Sequence, residues 1–270
     1  MIKDLFSVKE KVAVVTGGLG MLGSQFSAAL SERGAKVAIL EPKPDRQVAA
    51  TRLGEKAGGI LVLQADITEK ASLRDALKEV QAKLGEPEIL VNNAALDSPP
   101  NAPLAENGPF ETYPEASFDK VMEVNVKGVF LGCQVFGDAM ARTGRGSIVN
   151  ISSMYGMVSP DQRIYEYRRK GGEPFFKPIA YSVSKSALFN MTRYLATYWA
   201  GKGVRVNTLT FGGVYNGHDR DFLQAYTSHV PLGRMARVDE YNGALLFLAS
   251  DASSYMTGSN LVIDGGWTAW

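Results

Sequence analysis

The chain has 270 residues, 45% of them hydrophobic, enough to bury one sizeable core in a single domain. Its 29 basic and 28 acidic residues leave a net charge of +1, which gives no electrostatic reason to expect a nucleic-acid or membrane partner. The lone Cys133 excludes an intrachain disulfide and His218 and His229 lack metal-ligand spacing. The charged start is unlike a signal peptide and no run nears the roughly 18 apolar residues of a spanning helix, so a metal-free cytoplasmic protein is expected.

Val12-Ala13-Val14-Val15 has the apolar, β-branched character of a buried parallel strand, and Thr16-Gly17-Gly18-Leu19-Gly20-Met21-Leu22-Gly23 follows it. Gly18, Gly20 and Gly23 have the G-x-G-x-x-G spacing, whose glycines permit a sharp turn and bring a helix amino terminus against a pyrophosphate. A helix is predicted over 20–33 and a second strand over 36–40. That strand delivers Glu41, 18 residues after Gly23, where a carboxylate accepts hydrogen bonds from ribose hydroxyls and repels a 2′-phosphate. The pattern predicts NAD over NADP, with Lys43 and Arg46 as the opposing signal.

A third strand is predicted over 60–66, a helix over 69–84 and a fourth strand over 88–94. Right-handed crossovers bring the carboxyl ends of these strands to one edge, so Gly18, Glu41, Asp66 and Asn92 line a common crevice. Five prolines mark 96–116 as irregular, and a long helix over 117–142 carries Cys133 in an apolar pattern, a buried thiol rather than a nucleophile. A fifth strand, 146–153, ends in Ser152 and Ser153. The next helix, 179–200, carries Tyr181 and Lys185 four residues apart, about one turn, and hence on one face. An ammonium there lowers a phenol's pKa from its ordinary value of about 10, which makes the pair an acid–base device. Strands over 204–209 and 260–266 complete an alternation that predicts an open α/β sheet covered on both faces.

Taken in order, Thr16 to Gly23, Asp66, Asn92-Asn93-Ala94, Asn125 between Val124 and Val126, Ser152-Ser153, Tyr181 with Lys185, and Phe247-Leu248-Ala249-Ser250-Asp251 through Asp264-Gly265-Gly266 resemble the short-chain dehydrogenase/reductase family over the whole chain. The resemblance implies a Rossmann-type, doubly wound, mostly parallel seven-stranded sheet in a single domain. It implies hydride transfer between a nicotinamide and a secondary alcohol or ketone. It also implies a catalytic tetrad of Asn125, Ser153, Tyr181 and Lys185. In that tetrad Tyr181 is the general acid–base, and Lys185 depresses its pKa and hydrogen-bonds the nicotinamide ribose. Ser153 holds the substrate oxygen, and Asn125 relays the proton through its backbone and a water. Ser153 is preferred to Ser152 because the turn Ser153-Met154-Tyr155-Gly156 follows it. The implied cofactor residues are Gly17, Gly20, Met21, Leu22, Gly23 and Glu41, then Asp66, Ile67, Asn92, Asn93 and Ala94. Tyr181, Lys185, Gly212, Val214 and Asn216 complete the set.

Four departures from the family pattern stand out. Met21 replaces a glycine, Ala95 replaces another, and Phe211 replaces the proline expected after strand six. The fourth is the 28 positions between Ser153 and Tyr181, about twice the family's usual spacing, which places an insertion at about 160–177. Arg163, Arg168, Arg169, Lys170 and Lys177 outnumber Asp161, Glu166 and Glu173 in it, a net charge of 5 − 3 = +2. Lying between two catalytic residues, it is expected at the substrate mouth. There Arg163, Arg168 and Arg169 would grip an anionic substrate group, since guanidiniums pair two-pronged with such oxygens; a solvated basic loop is the plainer alternative.

A similar insertion, and the ending Thr268-Ala269-Trp270, resemble oxidoreductases of bacterial surface-sugar pathways, so a sugar, sugar acid or polyol is the expected small-molecule substrate. A 3-oxoacyl-thioester or small-ketone reductase, and a nicotinamide-binding sensor without turnover, are the competing readings. The family also implies a homotetramer. The apolar ending, Leu261 to Ile263 with Trp267 and Trp270, is expected at a subunit interface near 175–177, the alternative being a tail folded on its own subunit.

Overall fold

Period-two alternation distributes the apolar runs between two layers. In β1 (Val12–Thr16) Val12 and Val14 enter one core, while Ala13 and Val15 enter the other. The same division holds for Ala38 and Leu40 against Val37 and Ile39 in β2 (Lys36–Glu41). The computed structural model describes residues 4–97 and 106–270. With β3 (Leu61–Gln64), β4 (Pro87–Asn92), β5 (Gly146–Ser153), β6 (Val204–Phe211) and β7 (Asn260–Ile263), these strands form one parallel sheet ordered β3-β2-β1-β4-β5-β6-β7. The order reverses between β1 and β4, which opens a crevice at their carboxyl ends.

One face is covered by α1 (Met21–Glu32), α2 (Arg46–Leu53) and α10 (Asn242–Ala249). The other is covered by α3 (Lys70–Lys83), α8 (Ile179–Trp199) and a continuous helix over 115–143. That long helix joins α4 (Glu115–Met122), α5 (Val129–Gly132) and α6 (Asp138–Thr143) through two π segments, Glu123–Gly128 and Cys133–Gly137, which its sequence does not announce. A chain of hydrogen bonds crosses the core behind it. Asn92 Nδ2 donates to Asn150 Oδ1 at 2.8 Å, Asn150 Nδ2 to Thr192 Oγ1 at 2.9 Å, and Thr208 Oγ1 to Thr192 Oγ1 at 2.8 Å.

The predicted elements are present, with shifted ends. β7 stops at Ile263 rather than 266, because Gly265 and Gly266 take φ of 69° and 91° and turn the chain away. Four helices went unpredicted. α2 follows Asp45, whose carboxylate caps the Gln47 and Val48 amides, and the others are α7 (Glu166–Lys170), α9 (Arg220–Thr227) and α10. The segment expected to be irregular, 96–116, lies partly outside the described residues. Its described part holds a 3₁₀ turn at Phe110–Thr112, and α4 starts directly after Pro114. A third apolar cluster, including Tyr155, Tyr165, Phe175, Tyr226 and Trp267, roofs the carboxyl edge of β5 and β6.

Candidate active site

The glycine loop is held by main-chain contact. Gly17 adopts φ 62° and donates to Leu40 O at 2.9 Å, and a Cβ there would lie 2.8 Å from Ala94 Cα. A Cβ at Gly23 would run into the Gly17 carbonyl oxygen. Asn93 reinforces the turn through Nδ2 bonds to Thr16 O (3.1 Å) and Gly17 O (3.0 Å), while Thr16 Oγ1 accepts from the Asn93 and Ala94 amides. No side chain caps α1, and its first turn carries no acidic residue, so the amides of Met21 and Leu22 are left for an anion. Met21, occupying the glycine position of the family pattern, lines the cavity with Leu22.

Glu41 closes this edge. Its Oε1 accepts from Leu19 N at 2.6 Å, and burial raises its pKa against the opposing pull of that bond and of Arg52. Asp66 is exposed beyond β3, with Oδ1 accepting from the Thr68 amide and hydroxyl at 2.9 and 2.7 Å. One cofactor expectation needs correction and another is narrowed. Asn92 is consumed by the buried chain through Asn150 and does not reach the crevice. The Ile67 side chain is buried in the helix layer against Gly128, leaving only its main chain to face a ligand.

Ser153 and Tyr181 meet on a cavity of about 300 Å³, rimmed by Met21, Gly212, Val214 and Asn216. The structure separates the two serines. Ser152 Oγ donates to Lys185 O at 2.9 Å, whereas Ser153 faces the cavity beside the Tyr181 phenol. A Cβ at Gly156 would lie 2.8 Å from Lys185 C, so the turn after Ser153 depends on that glycine to approach α8. Asn125, in the first π segment, holds Leu96 at both ends: its Nδ2 donates to Leu96 O at 2.9 Å and its Oδ1 accepts from Leu96 N at 2.7 Å. The same Nδ2 donates to Ser184 Oγ at 3.0 Å on α8. Its side chain therefore fastens three elements, and its main chain is what remains for a proton relay.

Lys185 is buried, with Nζ donating to Ile151 O at 2.9 Å, and burial pulls its pKa down to about 8 against the attraction of Asp97. The expectation that Lys185 lowers the Tyr181 pKa is not met in this structure. Desolvation of the phenol, seconded by Asp97, pushes it up to about 12, and the downward influences are Lys177 and the Ser153 hydroxyl. Lys177 Nζ lies 4.7 Å from the Tyr181 ring centre and Lys185 Nζ 5.8 Å, so two ammonium groups lie close to the tyrosine.

The insertion lies over the cavity, but its arginines do not serve it. Arg163 turns outward onto Asp161, its Nη2 2.7 Å from Oδ2, which holds the Asp161 carboxyl well below its ordinary range. Arg168 pairs with Glu173, Nε to Oε2 at 2.7 Å, and stacks over Phe175 at 3.9 Å. Arg169 donates to the Phe175 and Gln162 carbonyls at 2.8 and 2.7 Å. Each guanidinium found a nearby acceptor, and none of the three lines the cavity. The predicted grip on an anionic substrate through Arg163, Arg168 and Arg169 is therefore withdrawn.

Tyr165 and Phe175, from the same segment, do line the cavity, along with Phe222 and Tyr226 of α9. Sequence reasoning also missed Asp97 and His218 among the lining residues, and gave Lys177 only as part of the insertion's charge. The loss of a proline at Phe211 loosens nothing: Phe211 packs 4.5 Å from the Tyr241 ring, and Gly213 N donates to Tyr226 Oη at 2.6 Å. At the carboxyl end Trp267 follows the alternative reading. Trp267 is buried in its own subunit, 4.7 Å from the Tyr226 ring and 5.4 Å from His229. Trp270 alone is exposed, at 81%.

Among the described residues no cluster of His, Cys, Asp or Glu could hold a metal, and no helix is long and apolar enough to cross a membrane. A family model described as Enoyl-(Acyl carrier protein) reductase matches residues 20–268. An NAD-dependent glycerol dehydrogenase from Listeria innocua is 33% identical, covering 97% of this chain and 96% of that protein. A D-threitol dehydrogenase from Mycolicibacterium smegmatis is 33% identical, covering 97% and 95%. The crystal structure of a short-chain dehydrogenase from Leptospira borgpetersenii with bound NAD+ superposes with a TM-score of 0.85 at 31% identity, covering 99% of this chain and 97% of that one. The parallel sheet, the glycine loop and these matches define a nicotinamide-dependent oxidoreductase. The chain belongs to the short-chain dehydrogenase/reductase family.

Proposed function

We propose that this enzyme transfers a hydride between NAD(H) and a secondary alcohol or ketone of a polyol or sugar, with NAD preferred to NADP. The observation that carries the reading is the meeting of Ser153 and Tyr181 on one cavity whose rim includes Met21 and Leu22 of the glycine loop. The glycerol and threitol activities named for its relatives support the substrate class. Glu41 supports the cofactor preference, since a 2′-phosphate would approach a carboxylate already bound to the loop.

When bound, NAD supplies the hydride acceptor. Ser153 donates to the substrate oxygen and keeps it beside the phenol, while Tyr181 takes its proton during oxidation and returns it during reduction. The high pKa of the phenol without ligands leaves it protonated. Positive charge is needed for it to act as a base, and Lys177, which already draws the phenol's pKa down, supplies it. Asn125 positions the segment after β4 and leaves its main chain for proton relay. The segment over 160–177 acts as a substrate wall rather than an anion clamp. Exposed Phe130, Tyr194 and Tyr198 on α5 and α8, with Tyr194 and Tyr198 stacked at 6.1 Å, support assembly as a homotetramer through these helices.

The test is a panel of polyols, sugars, sugar acids and acyl thioesters followed at the nicotinamide absorbance with each cofactor. Polyol turnover with NAD at least about tenfold above NADP in kcat/KM, roughly 1.4 kcal/mol, is expected. Tyr181→Phe should abolish it while leaving NADH affinity nearly unchanged. Turnover confined to acyl thioesters, equal use of NADP, or a Tyr181→Phe variant within about tenfold of wild type would each overturn the corresponding part.

A further inference from the structure

We propose that Asp97 and Lys177 form a hydroxyl-reading wall beside the reacting oxygen. It would select substrates with a second hydroxyl on the carbon next to the one oxidised and reject those with a carboxylate there. The inference rests on the alcohol-dehydrogenase reading above and specifies its substrate class.

Asp97 and Lys177 are the only charged groups among the described residues that line the cavity shared by Ser153 and Tyr181. Lys177 Nζ donates to Asp97 Oδ1 at 2.6 Å while lying over the Tyr181 ring, so the pair is fixed relative to the acid–base. The lysine's main chain is clamped too. Lys177 N donates to Gln162 Oε1 at 2.9 Å and Gln162 Nε2 donates back to Lys177 O at 3.1 Å. Pro178 then opens α8 only three positions before Tyr181, which leaves little play between lysine and tyrosine.

The two charges are presented unequally. The Lys177 side chain is 9% exposed and that of Asp97 is 59% exposed, so the accessible pole of the pair is the carboxylate. A carboxylate accepts hydrogen bonds and offers none, which suits hydroxyl donors and opposes a second carboxylate. Among the described residues that line the cavity, Lys177 is the cation facing this carboxylate. His218, whose pKa burial lowers, is an uncharged imidazole near neutrality, and the remaining wall is largely aromatic. A substrate oxygen held by Ser153 and Tyr181 thus has one ionic acceptor at its side, set there by a lysine that the family-derived tetrad does not include.

Butane-2,3-diol and butan-2-ol differ only in the adjacent hydroxyl, so the ratio of their kcat/KM values reads this wall separately from general damage to the enzyme. Wild type should prefer the diol, and Asp97→Asn should cut that ratio by at least about tenfold, mainly through KM, the scale of a hydrogen bond to a charged group. Asp97 also raises the Tyr181 pKa, and any change in turnover from that source is common to both alcohols and cancels in the ratio. Asp97→Ala should repeat the result. Equal losses on both alcohols, an unchanged ratio in both variants, or a wild type active on both alcohols without preference would overturn the assignment of Asp97 while leaving the dehydrogenase reading intact. A wild type inactive on every alcohol in the panel would overturn that reading and this one with it.

Discussion

The glycine-loop edge and the aromatic wall face each other across Tyr181, yet they are held together by different kinds of contact. The loop is main chain against main chain: Gly17 on Ala94, Gly23 on Gly17, Asn93 bonded to two carbonyls. The wall is side chain against side chain, with Tyr165 4.9 Å from Phe175, Phe222 5.5 Å from Tyr226 and Tyr226 4.7 Å from Trp267. Backbone surfaces tolerate no added atom, whereas aromatic packing can be redrawn by substitution. The first arrangement suits a ligand of constant shape and the second a substrate that differs between relatives.

The largest effect expected from this contrast is at Gly23. Gly23→Ala drives a methyl group into the Gly17 carbonyl and should cost about 2–4 kcal/mol of stability together with most NADH affinity. Thermal unfolding and fluorescence titration with NADH measure both, and a variant that keeps wild-type values in each would show that the loop yields more easily than its contacts imply.

Lys185 stands at the seam, and its effect should be intermediate and of opposite sign. Its pKa is lowered from 10.5 to about 8 in the folded chain, so between those values the unfolded chain binds more protons and stability should rise with pH. Below about 8 the penalty is constant. Lys185→Met should therefore raise the Tm of the ligand-free protein by a few degrees near neutrality, and the gain should shrink towards pH 10 while activity is lost. A Tm gain that does not change with pH would mean that better packing, not a relieved charge, stabilises the variant.

The smallest effect is predicted on the outer side of the wall. Arg163 is exposed and paired with Asp161, so Arg163→Ala should leave KM for every substrate in the panel within about twofold. A rise beyond about fivefold, confined to anionic substrates, would return the arginines to the substrate mouth.

The same contrast explains what could be read from sequence. The glycine spacing, Glu41 and the Tyr181/Lys185 pair are local patterns whose geometry follows from one turn or one helix face, and all three stand where that reasoning puts them. Ser153 was separable from Ser152 by the turn behind it. Asp97 and Lys177 are 80 positions apart and meet only because β4 ends and α8 begins at the same edge, so no local pattern could join them. The arginines carried a warning that a simple charge count ignored. Asp161 lies two residues from Arg163 and Glu173 five from Arg168, close enough to claim those guanidiniums before any substrate does.

The two π segments in the long helix bear on how the site can change. A π turn accommodates an extra residue, and one residue corresponds to about 100° of rotation about an α-helix. Asn125 lies within the first of these turns, Glu123–Gly128. Its aim is therefore a matter of chain length as well as side-chain identity. Deleting one residue there would restore regular winding and leave α4 packed on α8, while re-aiming the side chains inside the segment, Asn125 among them. Asparagine at this position and the extra residue that turns it inward form a single heritable unit, and a descendant could re-aim Asn125 by insertion or deletion where no point substitution would reach it.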